Sequence, residues 1–149
     1  MDRIRITKEF DFEMAHALWN YDGACRNIHG HSYRLFVTLI GKSNSDSKDP
    51  KFGMVIDFKD LKGLVKAPVV DFFDHSLVVY KEAEGEILGT IRQMYEKVHV
   101  FEFQPTCENL VLHIVKTIQA SMLSGIQLQA VKLYETPTSY AEWHLEDNL

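Results

Sequence analysis

The chain has 149 residues, 46% of them hydrophobic and 25% charged, ordinary proportions for a globular protein with a real core. A formal net charge of −5 argues against a general nucleic-acid binder, which carries a basic excess, but leaves room for a small anionic substrate, because local charge can oppose the global sign. Two cysteines, no leader-like N-terminus and no long apolar run predict a cytoplasmic protein with reduced thiols, no membrane partner and one domain over 1–149.

In residues 4–16, Phe10, Phe12, Met14 and His16 share one parity, opposite Asp11 and Glu13, which is strand alternation. The segment 29–40 alternates again, with His29, His31, Tyr33, Leu35, Val37 and Leu39 on one face and a half-apolar opposite face. A polar loop over 41–53 separates it from a helix capped by Asp57, with Phe58, Leu61, Leu64 and Val65 at helical spacing. Asp is a good N-cap, and Pro68 is expected to kink or end that helix near Ala67. A second helix is expected within 84–97 and a short strand over 98–103. A third helix opens at Pro105-Thr106, with Leu112, Val115 and Ile118 on its inner face. Strands follow over 126–136 and 139–145. The expected fold class is α+β: an antiparallel sheet of four longer strands with two or three helices on one face.

The chemistry concentrates in "CRNIHGHSY", residues 25–33. His29 and His31 are two apart and point the same way on a strand. If the strands 4–16 and 29–40 pair antiparallel, His16 lies beside them. Gly30 is expected to leave room for the cluster. Three imidazoles with a vacant fourth position form a catalytic zinc site. His-x-His alone more often marks two ordinary half-buried histidines; the third histidine within reach favours a metal. Cys25 sits in a Gly/Asn/Asp-rich connection, where a nearby cation and Arg26 favour its thiolate. The alternative is that Cys25 is a fourth, structural ligand.

Asp74-His75 is a dipeptide in which the carboxylate can orient an imidazole. Glu108 falls in the first turn of a helix, where capping support is the simpler role. Glu135 closes an alternating strand on the parity of Val131 and Leu133, and a carboxylate facing a core needs a bonded partner. It is thus a candidate ligand for a guanidine-like or aminopyrimidine edge. His99, His113 and His144 read as surface or packing residues, and Phe72, Phe73 and Trp143 as core or interface.

Together these segments resemble the 6-pyruvoyl-tetrahydropterin synthase and 6-carboxy-tetrahydropterin synthase family over nearly the whole chain. The resemblance is carried, in order, by "FDFEMAHAL", "CRNIHGHSY", "GMVIDFKDLK", "FDHSLV", "PTCENL" and "LYET". It implies a tunnelling fold in which subunits join their sheets into a barrel, a homohexamer built as a dimer of trimers, and active sites at subunit interfaces. It further implies Zn2+ on His16, His29 and His31, with Cys25, Asp74 and His75 as catalytic groups. Glu135, Glu108 and Thr106 are implied to bind the pterin, and the implied substrate is 7,8-dihydroneopterin triphosphate. Two products occur among such enzymes: 6-carboxy-tetrahydropterin with loss of acetaldehyde, on the route to 7-deazaguanine nucleosides, and 6-pyruvoyl-tetrahydropterin. The first is favoured here, and a non-catalytic zinc or pterin binder is the rival from another class. Two departures stand out: Cys107 where the family often has Ser or Thr, and a longer segment over 76–104 whose role is open.

Overall fold

The structure is a computed structural model that describes residues 2–83 and 85–149. Its strands form one six-stranded sheet in the order β4-β3-β1-β2-β5-β6. The four longer strands are β1 (Arg3–His16), β2 (His29–Lys42), β5 (Ile126–Thr136) and β6 (Ser139–His144), joined as antiparallel neighbours. Two short strands, β3 (Ser76–Tyr80) and β4 (Val98–Phe101), extend this sheet with parallel pairing, β3 on β1 and β4 on β3. The sheet is therefore mixed, and wider than the four expected antiparallel strands.

Helix α1 (Phe58–Val65) begins where the Asp57 side chain accepts from the Lys59 amide. Pro68 does not end it. The backbone widens into a π turn over Lys66–Val70 and resumes as α2 (Asp71–Phe73). Proline lacks an N–H and crowds the carbonyl four residues back; a wider turn relieves both. The long 76–104 segment is a β3-α3-β4 unit, with α3 spanning Glu86–Met94. Parallel neighbours cannot be joined by a tight hairpin and need a crossover, which is what α3 supplies.

The core lies between one face of the sheet and α1, α2 and α4 (Cys107–Gln119). Phe10, Phe12 and Met14 of β1, Tyr33, Leu35, Val37 and Leu39 of β2, and Leu128, Val131 and Leu133 of β5 face Leu61, Val65 and Phe73. From α4 come Leu110, Val111, Ile114, Val115 and Ile118. Two helix-face expectations are corrected. Leu112 is 46% exposed and Phe58 52%, because the helices present Leu110–Val111–Ile114 and Leu61–Val65 to the sheet instead. The even face of β2 carries half-exposed Phe36, Thr38 and Ile40, consistent with its half-apolar sequence. No helix among the described residues is long and apolar enough to cross a membrane.

Candidate metal centre and adjoining pocket

Antiparallel register alone brings the histidines together: His16 pairs with His29, and Met14 with His31. One potential ligand atom from each of His16, His29 and His31 lies within 4.8 Å of the others. The hydrogen bonds assign the tautomers. His16 Nδ1 donates to the Pro105 carbonyl at 2.7 Å, and His29 Nδ1 donates to the Asn27 carbonyl at 2.7 Å. A carbonyl only accepts, so in each neutral ring the proton sits on Nδ1 and the lone pair on Nε2. Those two Nε2 atoms are 3.1 Å apart. His31 Nε2 is buried with no hydrogen-bond partner.

Two lone pairs facing each other, beside a third buried and unpartnered ring nitrogen, are what a cation resolves. Two nitrogens, each about 2.0–2.1 Å from a tetrahedral ion, stand roughly 3.3 Å apart, close to the observed separation. The donor set therefore fits a divalent metal. Burial above all, against the Pro105 and Glu135 partners and together with the neighbouring His29 and His31, lowers the pKa of His16, which favours the ring's ligating neutral form. The backbone carbonyls behind His16 and His29 are the outer-shell groups that fix a ligating imidazole. Cys25 is not a member of the three-imidazole group, so the arrangement does not favour it as a fourth ligand. Gly30 plays a smaller part than expected: a Cβ there would meet Met14 O at 3.5 Å and Ala15 Cα at 4.0 Å, ordinary contact distances.

Beside the triad is a pocket of about 340 Å³ whose lining includes His16, Cys25, Thr106, Cys107, Glu108 and Glu135. Cys25 sits in a short 3-10 turn, Ala24–Arg26, whose Cys25 carbonyl accepts from the Leu18 amide at 2.9 Å. The N-terminus of α4 forms another wall. There Thr106 caps the helix by accepting from the Asn109 amide, while Gln104 bonds both the amide and the carbonyl of Trp19. These bonds fix the Pro105 carbonyl that holds His16. Glu135 carries its carboxylate oxygens 3.9 Å from the Nε2 atoms of His16 and His31, beyond hydrogen-bond range. Burial pushes the Cys107 thiol up to about 11, so it stays protonated, donating to the Leu133 carbonyl.

The sequence places Tyr33 on the strand face of His29 and His31. It is fully buried beneath the rings of His31 and His16, at centroid distances of 5.6 and 6.3 Å. Its hydroxyl has no hydrogen-bond partner. Burial first, and the Glu135 carboxylate second, hold the phenol well above its usual range, so it remains a donor. Its position next after His31 on the same strand face was the available signal.

The Asp74-His75 pair lies elsewhere. His75 Nδ1 stands 3.0 Å from Asp74 Oδ2, while Asp74 Oδ1 accepts from the Glu13 amide at 2.9 Å. That bond above all, and then His75, hold Asp74 below the usual carboxylate range. His75 lines a separate groove of about 860 Å³ that also touches His31, Glu13, Leu77 and Lys97. One chain thus gathers the triad, Cys25, Thr106, Glu108 and Glu135, and keeps the Asp-His pair on another opening.

A family model described as 6-pyruvoyl tetrahydropterin synthase matches residues 5–146. The chain belongs to this family. Among its curated relatives is the 6-carboxy-5,6,7,8-tetrahydropterin synthase of Haemophilus influenzae, 35% identical over 141 residues, covering 93% of this chain and 97% of that protein. The enzyme of the same name from Aquifex aeolicus is 30% identical, covering 95% and 98%. Among solved structures, 6-pyruvoyl tetrahydropterin synthase of Caenorhabditis elegans superposes with a TM-score of 0.68 at 25% identity, covering 97% and 96% of the two chains. An uncharacterized protein of Wolinella succinogenes reaches 0.78 at 21% identity, covering 97% and 99%. The α+β tunnelling fold is that of these family members, and the curated relatives are named tetrahydropterin synthases.

Proposed function

We propose that the protein converts 7,8-dihydroneopterin triphosphate and water to 6-carboxy-5,6,7,8-tetrahydropterin, triphosphate and acetaldehyde. The observation that carries this reading is the convergence of the His16 and His29 Nε2 lone pairs with the buried, unpartnered Nε2 of His31, beside a pocket lined by Cys25 and Glu135. The curated relatives at 30–35% identity bear the carboxy-product name, which favours that product over the pyruvoyl one.

His16, His29 and His31 hold the metal, assigned as zinc from an all-imidazole donor set with an open position. When bound there, the ion supplies Lewis acidity toward the substrate's side-chain hydroxyls. Cys25 as thiolate takes a proton from the substrate side chain and returns one at the pterin ring. Asp74 holds His75 through Nδ1, so that His75 moves the second proton through Nε2. Glu135 accepts the paired N–H groups of the pterin edge in charge-assisted hydrogen bonds, with Glu108 and Thr106 completing that end of the pocket. Elimination of triphosphate leaves the pyruvoyl side chain; hydrolytic loss of its two terminal carbons as acetaldehyde leaves the carboxylate.

His75 opens onto a different groove from Cys25. This separation supports a complete site assembled at a subunit contact, as the family resemblance implies for a homohexamer made from two trimers. Incubating metal-loaded and chelated protein with the triphosphate substrate, followed by mass analysis, tests the reading. Acetaldehyde and the carboxy product with metal alone support it; 6-pyruvoyl-tetrahydropterin as the end product selects the second reading, and ligand binding without triphosphate release overturns both.

A further inference from the structure

The β3-α3-β4 unit has no assigned part in the reaction, yet it sends one side chain to the Asp74-His75 pair. Lys97, half-buried just before β4, donates from Nζ to the carbonyls of Asp71 at 2.6 Å and Asp74 at 2.5 Å. Its own carbonyl accepts from the Leu77 amide at 3.0 Å, so the residue is anchored to β3 on the far side of the pair. His99, two residues on, bonds the Phe72 carbonyl through Nε2 at 2.8 Å and stacks on the Phe72 ring at 3.9 Å. The chain end of α2 is thus capped from outside: carbonyls 71, 72 and 74 all take a partner from the 97–99 stretch. A cation at a helix C-terminus is also favoured by the dipole.

The pair needs such support. Asp74 leaves the helix with ψ 128°, and His75 follows with φ +58°, in the left-handed region. A non-glycine residue there is strained and persists only when its surroundings over-determine it. The Glu13 backbone bonds one side, accepting from the His75 amide at 2.7 Å and donating to the Asp74 carboxylate. Lys97 bonds the other. With both in place, Asp74 Oδ2 is fixed on His75 Nδ1, and the His75 side chain stays 78% exposed toward the groove.

We infer that Lys97 is a positioning residue that locks the Asp74-His75 proton-transfer pair, and that this is what the long 76–104 segment contributes to the reaction. The inference rests on the role proposed above for His75. Lys97 lines the groove of His75 and not the pocket of Cys25 and Glu135, so its loss is expected to be felt on the His75 side.

The test uses full-length Lys97→Met, Lys97→Arg and His75→Ala, each metal-loaded. Hydrogen exchange of the 71–77 peptide is expected to rise about tenfold or more in Lys97→Met, with the 106–111 peptide unchanged. Turnover number is expected to fall at least about tenfold, and by no more than the roughly 10²–10⁴-fold worth of a general acid–base group itself. KM and metal content stay within twofold, and Lys97→Arg recovers most of both effects, because guanidinium also reaches two carbonyls. Unchanged exchange over 71–77 in Lys97→Met overturns the inference. So does faster exchange with normal turnover, or a joint loss of metal, KM and turnover. Should His75→Ala retain full turnover, the role of His75 falls instead, while the exchange arm still decides whether Lys97 holds the pair.

Discussion

His16 and His29 approach with their Nε2 atoms 3.1 Å apart while each Nδ1 faces a backbone carbonyl. Only a proton or a metal can sit between two such lone pairs. His31→Ala and His29→Ala are therefore expected to lower metal affinity beyond the roughly 10–100-fold cost of an outer-shell change. Metal analysis after dialysis against a weak chelator checks this; full metal retention in both variants would remove the centre.

Cys25 and Cys107 share a pocket but differ in proposed role. Cys107 is held as a neutral thiol, raised to about 11 chiefly by burial, and is spent on the Leu133 carbonyl. Cys25→Ala is expected to abolish turnover with metal content unchanged, while Cys107→Ser keeps turnover within about threefold, since a hydroxyl preserves that bond. Loss of metal in Cys25→Ala would make Cys25 a ligand.

Glu135 stands 3.9 Å from two imidazole nitrogens without bonding either, and it lines the pocket beside the triad. Glu135→Gln is expected to weaken neopterin binding by about 1.5–3 kcal/mol, roughly 10- to 150-fold in Kd, the worth of hydrogen bonds to a charged group. Fluorescence titration reads the change directly. Unaltered affinity would move the pterin edge to another residue.

His113 is packed among Phe72, Phe73, Phe101 and Phe103. Burial first, then the nearby charges of Lys116 and His99, lower its pKa below 6.5. The unfolded chain therefore takes up this proton before the folded one does. Its contribution is fully present above about pH 6.5 and is lost as pH falls through the lower folded-state value. His16 is lowered by burial as well and acts in the same direction. Urea unfolding from about pH 5 to pH 7 should show stability rising with pH, with a shallower rise in His113→Phe. An identical slope in that variant would assign the dependence elsewhere.

Much of the site was legible because it depends on local periodicity. A two-residue spacing puts His29 and His31 on one strand face, and the connection from 17 to 28 returns the chain beside His16, so antiparallel pairing had to bring them together. Asp57 was recognisable as a cap because its side chain acts within two residues, on the Lys59 amide. The run "SLVVY" was not readable as β3, since the four apolar residues after Ser76 fit a buried strand or a helix equally. Leu112 was placed on the wrong face of α4 because a helix with apolar residues at 110, 111, 112, 114, 115 and 118 has a broad stripe whose centre tertiary packing chooses.

Sequence alone determined the alternating strands, the capped helices and the identity of the three imidazoles, because those follow from side-chain period and backbone capping. Tertiary structure decided what sequence distance hides. Residues 89 positions apart join when the Pro105 carbonyl sets the His16 tautomer, Tyr33 is buried without a partner beneath the rings, and Lys97 reaches back to the Asp74 carbonyl. Such contacts are fixed by how the sheet and helices pack, and no local pattern encodes them.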